Sequence, residues 1–327
     1  MGLRLRLRLR LRLRLRSGLL LIALLYAYIA CAQHDTARNN LNPIKSVKLN
    51  YENDYFTGTD MYYTQGIKLE LFFPLFRYSP VMFLLPHLSN SVVQYEINFD
   101  QDCFTPTSIT VDSIQKGDRP YSGYIYLGHV KTSTQPGKKQ KLIAEADAGA
   151  MGKCAVCEEE QKMIHRWIND RQPGGWKYQI GSGAMINYRL RYEKGLITDT
   201  SIDITGYGQI EAGTVYDNAI IGGNLRLGKM QSYFTGNRTR KLQLYTFLNG
   251  WAEGMAYNAT LQGVLFSNNS LYTLPPNAID HVILGYSYGI CLSYKSVYLE
   301  YSSTHITHEI LNGLYHGWGH IGIAGYF

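Results

Sequence analysis

Val93-Gln94-Tyr95-Glu96-Ile97-Asn98-Phe99 places a large apolar side chain on every second residue and a polar one between. In an extended chain successive side chains point to opposite faces, so the stretch predicts a strand with one apolar and one polar face. The same period returns in Val47-Lys48-Leu49-Asn50-Tyr51-Glu52, where Val, Leu and Tyr oppose Lys, Asn and Glu. It recurs in Gly66 to Phe73, Ser201 to Thr205, Asn224 to Gly228, Lys241 to Phe247 and Val297 to Tyr301. No apolar run after residue 33 is long enough for a membrane helix. A soluble β-sandwich and a membrane barrel with a polar lumen both produce this alternation.

Two features favour the barrel. Tyr outnumbers Phe 27 to 11, as expected where amphipathic rings line a membrane interface. The chain also ends Ile321-Gly322-Ile323-Ala324-Gly325-Tyr326-Phe327, which resembles the C-terminal strand signature of bacterial outer-membrane barrels. A last strand paired with the first closes the sheet and removes its edges. About 295 residues beyond position 32 accommodate twelve strands of about ten residues with loops. The expected fold is therefore all-β, a transmembrane antiparallel β-barrel of twelve strands, in one domain over 33–327.

The net charge of +7, from 32 basic and 25 acidic residues, is confined to the start of the chain. Seven arginines occupy alternate positions from 4 to 16, and without them 25 basic residues face 25 acidic ones. That excludes a basic nucleic-acid module. Residues 1–32 read as a signal peptide: a cationic start, the apolar Gly18–Ala30, and the small-x-small Ala30-Cys31-Ala32. The apolar run of about 15 residues falls short of the ~20 a spanning helix needs.

Three motifs carry candidate chemistry. In Glu52-Asn53-Asp54-Tyr55-Phe56, followed by Thr59-Asp60-Met61-Tyr62-Tyr63-Thr64-Gln65-Gly66, alternation turns Asp54 and Thr64 toward the lumen where two strands meet their turn. Carboxylate, amide and hydroxyl oxygens gathered there suit a hard cation such as calcium, and ordinary polar turn chemistry accounts for the same residues. In Asp118-Arg119-Pro120-Tyr121-Ser122-Gly123-Tyr124, Arg119 offers a fork for phosphate or carboxylate, with a lumen salt bridge an equal reading. In Gln161-Lys162-Met163-Ile164-His165, a spacing of four stacks Gln161 and His165 on one side of a helical turn, so the amide could orient the imidazole or a water beside it.

The ordered set END, TDxYYTxG, the FTP of Phe104-Thr105-Pro106, DRPYSG, QxxxH, the Gly175-Trp176-Lys177-Tyr178-Gln179 that follows, and Tyr257 to Gly263 resembles the outer-membrane lipid A 3'-O-deacylase family. The resemblance implies a twelve-stranded barrel in the bacterial outer membrane that hydrolyses the 3'-linked acyloxyacyl chain of lipid A, depends on calcium, and works at the lipid-facing rim. Residue by residue it implies catalytic roles for His165, Gln161, Asn53 and Thr64, with His165 the general base, and a calcium site at Asp54. Arg119 and Tyr121 of DRPYSG are assigned to substrate, Arg119 to a lipid A phosphate. The family's Glu after the His is absent; Asp170, one register off, is the nearby acid and is assigned to the metal.

Cys154 and Cys157 suggest a small disulfide loop in an oxidising compartment, and Glu158-Glu159-Glu160 a solvated charge run. His305 and His308, three apart on a strand, face opposite sides and cannot share a metal. No GxSxG elbow, Walker loop or dinucleotide fingerprint occurs. Competing readings are an outer-membrane phospholipase of the same chemistry and a non-catalytic pore or scaffold. The expected partners are lipid A, or lipopolysaccharide, and outer-membrane lipids.

Overall fold

The computed structural model describes residues 45–235 and 241–327, so the signal peptide assigned to 1–32 lies outside the described residues. The expected strands form, and alternation decides what each one faces. They are β1 (Ser46–Asn53), β2 (Tyr62–Phe72), β3 (Val92–Thr105), β4 (Ser122–Gln135), β5 (Gln140–Met151), β6 (Gly183–Thr198), β7 (Ile202–Gly213), β8 (Tyr216–Lys229), β9 (Leu242–Asn258), β10 (Val282–Tyr294), β11 (Val297–Ile306) and β12 (His316–Tyr326). Each pairs antiparallel with its sequence neighbour, and β1 pairs with β12, so the sheet closes into a twelve-stranded barrel. Asn50 sits between Lys68 of β2 and Gly322 of β12.

The two faces differ as the alternation requires. Leu49, Ile210, Ile221, Leu248, Leu284 and Ile323 stand exposed on the outside. The lumen holds paired charges: Lys68 Nζ lies 3.2 Å from Asp100, and Arg189 reaches Glu145 at 2.7 Å and Glu211 at 3.1 Å. Buried charges are tolerable only when partnered in this way. Toward the end bearing the β1–β2 hairpin, here called the rim, the lumen is packed by Tyr63, Phe104, Tyr124 and Tyr126, with Trp318 against them.

The one long helix among the described residues, α1 (Cys157–Ile168), lies in the excursion between β5 and β6 and buries Cys157, Gln161 and His165, one stripe at intervals of four. It docks on the outside of the wall. Asp100 and Asp102 point inward to Tyr126, Tyr63 and Tyr124, so their neighbours Gln101 and Cys103 point outward. Glu160 of α1 accepts from Gln65 Nε2 at 2.7 Å and Gln101 Nε2 at 2.8 Å, and Cys157 forms a disulfide with Cys103.

Two expectations are thereby corrected. Cys157 pairs with Cys103 and not with Cys154, because Cys157 faces the wall while Cys154 sits exposed on a short turn before the helix. The acidic run is not uniformly solvated: Glu160 docks the helix, its carboxyl raised by burial, and Glu158 pairs with Lys162.

A candidate hydrolytic site on the outer face of the rim

A cavity of about 240 Å³ opens between β1, the β1–β2 hairpin and α1, and it is lined by Asn53, Asp54, Thr64, Gln161, His165 and Asp170 among others. Six separately proposed residues, from three parts of the chain, thus share one cavity. Its side of the wall differs from the expectation for Asp54 and Thr64. Tyr51 and Asn53 alternate outward with Leu49. In β2 a bulge between Tyr63 and Gln65 leaves Thr64 unpaired, so Tyr63 reaches inward to Glu52 while Thr64 and Gln65 both line the outer cavity. Asp54 lies past the strand end in a 3-10 turn (Asp54–Thr57), where alternation no longer governs direction.

His165 is held from behind. The helix stops at Asn169, which takes the left-handed conformation (φ 59°) that Asn tolerates, and the chain doubles back to bring the Arg171 carbonyl 2.6 Å from Nδ1. A carbonyl only accepts, so Nδ1 carries the proton and Nε2 presents its lone pair. Nε2 lies 3.7 Å from Asp60 Oδ2, beyond a direct hydrogen bond. A water can bridge groups at such a separation.

Gln161 is oriented too. Its Oε1 accepts from the indole Nε1 of Trp176 at 2.8 Å, so its amide nitrogen turns to Asp60 Oδ1 at 3.5 Å. Trp176 is 1% exposed and packs on Tyr121 with ring centroids 4.8 Å apart. Gly175 (φ +72°) makes this possible, because a Cβ there would stand 2.7 Å from the Tyr121 ring.

Asp60, Trp176 and Gln65 are the members that reading the motifs did not assign. Trp176 had a signal in its place after the QxxxH segment; Asp60 was quoted in its motif but only the fold shows that it meets His165, Gln161 and Thr64, the last at 3.4 Å.

The acidic pair has the chemistry of a cation site. Burial, and then the neighbouring charge of Asp60, pushes the Asp54 carboxyl up to about 8, and burial also raises Asp60. Two carboxylates that each resist ionisation would be relieved by a cation. Among the described residues no three His, Cys, Asp or Glu side chains converge as a ready metal cluster, so amide, hydroxyl and backbone oxygens would complete the set. Asp170 stands on the imidazole side, 4.0 Å from His165 Nδ1.

Arg119 and Tyr121 are not in the cavity. The Arg119 guanidinium, 1% exposed, is paired with Glu309, bonded to Thr260 Oγ1 at 2.6 Å and stacked over Phe104 at 4.3 Å. A buried fork already engaged on both arms is not free for a lipid phosphate, and the salt-bridge reading fits it. Tyr121 bonds the Ile109 carbonyl and supports Trp176 from behind.

The family model described as outer membrane protein LpxR matches residues 19–327. LpxR from Salmonella typhimurium superposes with a TM-score of 0.70 at 19% identity, covering 86% of this chain and all of the other. The β domain of the Bordetella autotransporter BrkA gives 0.45 at 10% identity over 88% of this chain and all of the other, too distant to inform the site. No curated protein matches the sequence.

Proposed function

The chain belongs to the LpxR family of outer membrane proteins, and from that premise we propose that it is a lipid A deacylase, hydrolysing the 3'-linked acyloxyacyl ester with His165 as base. The observation that carries the reading is the outer-face cavity holding an imidazole whose Nδ1–H is tied to a carbonyl and whose Nε2 is open. A membrane-embedded ester can reach a site on the outside of the wall without entering the lumen, which is crossed by ion pairs.

His165 Nε2 takes a proton from a water whose oxygen attacks the ester carbonyl carbon. The tetrahedral intermediate collapses by breaking the bond to the sugar oxygen, which leaves with the proton returned from Nε2, and the freed chain departs as a carboxylic acid that gives up its remaining proton to bulk water. Asp60 and the Gln161 amide position the water between them, and Thr64 and Asn53 border the acyl oxygen. Calcium, held by Asp54 with neighbouring oxygens and with Asp170 at the margin, would supply charge to polarise the carbonyl and balance the oxyanion.

The test is the mass of lipid A from cells carrying no gene, the wild-type gene, or His165→Ala. Loss of one 3'-chain with the wild type alone supports the proposal. Unchanged lipid A with lysophospholipid accumulating would transfer the chemistry to glycerophospholipids.

A further inference from the structure

A second cavity, of about 430 Å³, opens on the same outer face on the far side of the β1–β2 hairpin. The 3-10 turn of that hairpin leans on β12, with the Thr57 hydroxyl on the Gly317 carbonyl at 2.7 Å and Phe56 over Gly319. The absence of a side chain at Gly319 lets the turn in, since a Cβ there would stand 2.4 Å from Phe56, and the bare Gly317 leaves room for the His305 ring, 2.6 Å from where its Cβ would be. The turn therefore separates two cavities, and Thr59 lines both.

The wall of the second cavity presents carbon. Tyr286 and His305 stack at 5.2 Å between ring centroids, with Leu284 and Ile306 beside them and Tyr315 at the edge. Apart from the Tyr286 and Tyr315 hydroxyls, several of its polar side-chain atoms are engaged within the protein. Thr57 is bonded to carbonyls of Asp54 and Gly317, Thr307 Oγ1 accepts from the Leu284 amide at 3.0 Å, and the outer nitrogen of His305 meets Ser303 Oγ at 3.0 Å. A sugar or phosphate would find few free partners there, whereas hydrocarbon would lose no hydrogen bond.

We propose that this cavity is a subsite for a second acyl chain of the same lipid whose ester lies at His165. The inference rests on the deacylase reading and extends it: the hairpin is a divider, with the scissile chain on the α1 side and a retained chain against Tyr286 and His305. Selection for a multiply acylated lipid then comes from filling both sides at once.

The experiment compares multiply acylated lipid A with a short single-chain p-nitrophenyl ester, both in detergent, for wild type, Tyr286→Ala and the cavity-filling Leu284→Trp. Removing or blocking an aromatic wall against a chain should lower the lipid-to-ester ratio of kcat/KM about tenfold, chiefly through KM for the lipid. Equal loss on both substrates, or an unchanged ratio, overturns the subsite. Retention of multiply acylated lipid by His165→Ala and by His165→Ala/Tyr286→Ala is measured alongside. Should the wild type cleave the ester but not lipid A, the deacylase reading fails; weaker retention by the double variant then still supports the acyl pocket, and equal retention removes it.

Discussion

Trp176→Phe tests how the site is oriented. The change keeps an aromatic ring beside Tyr121 but deletes the one N–H that holds Gln161 Oε1 at 2.8 Å. Both side chains are buried, at 1% and 4% exposure, so water cannot freely replace the lost donor. An unpaired buried acceptor costs about 1–3 kcal/mol. The amide can escape by turning over, but its oxygen then faces the carboxylate of Asp60, 3.5 Å from where the nitrogen was. Either way the cavity loses an oriented donor, and about 1–3 kcal/mol corresponds to roughly a 5- to 150-fold loss in kcat/KM. The assay is the initial rate of lipid A deacylation in micelles, with thermal melting as the control for fold. Because Trp176 is held to act through Gln161, the informative measurement is the double-mutant cycle with Gln161→Ala. In that background Trp176→Phe should cost almost nothing further in kcat. Independent, additive losses would refute the argument and leave Trp176 as packing alone.

Other outcomes follow from the same geometry. Arg119→Ala strands Glu309 in a largely buried setting, with a loss of up to about 3–5 kcal/mol expected for a broken buried pair; it should lower the melting temperature and spare KM for the lipid, whereas a raised KM in an equally stable protein would restore the phosphate role. Without a cation, Asp54 stays protonated in the fold up to about 8 while the unfolded chain releases that proton near pH ~4, so stability falls as pH rises across that window. Calcium binding to the ionised carboxylate runs the other way, so calcium should raise the melting temperature more at pH 8 than at pH 6; equal shifts would take Asp54 out of the cation site. Cys157→Ser frees the start of α1 from β3, and trypsin should then cut within 153–171 faster than in the wild type; the same protection in both would mean that the Glu160 contacts alone hold the helix.

The barrel was legible because a strand's alternation is a local property. Val47, Leu49 and Tyr51 read as an outer face and Lys48, Asn50 and Glu52 as a lumen face, and both assignments hold. The His165–Gln161 stripe was legible for the same reason, being a spacing of four on one helix. What failed is what interrupts a period. A single unpaired residue, Thr64, ends the alternation of β2, and with it goes the inference that Thr64 faces the lumen, leaving the lipid-facing rim that the family resemblance implied. The correction matters chemically, since a lumen site would require a lipid to enter a space packed with charge and aromatic rings, while an outer-face site meets its substrate in the bilayer. Cys103 was equally invisible as a partner for Cys157: 54 residues separate them, and only the outward direction shared by Gln101 and Cys103 places both under α1. Long-range pairing of this kind depends on which face of a strand a helix covers. In this barrel the bulge and the docked helix act together, because one turns Thr64 outward beside Gln65 and the other brings Gln161 and His165 to meet them.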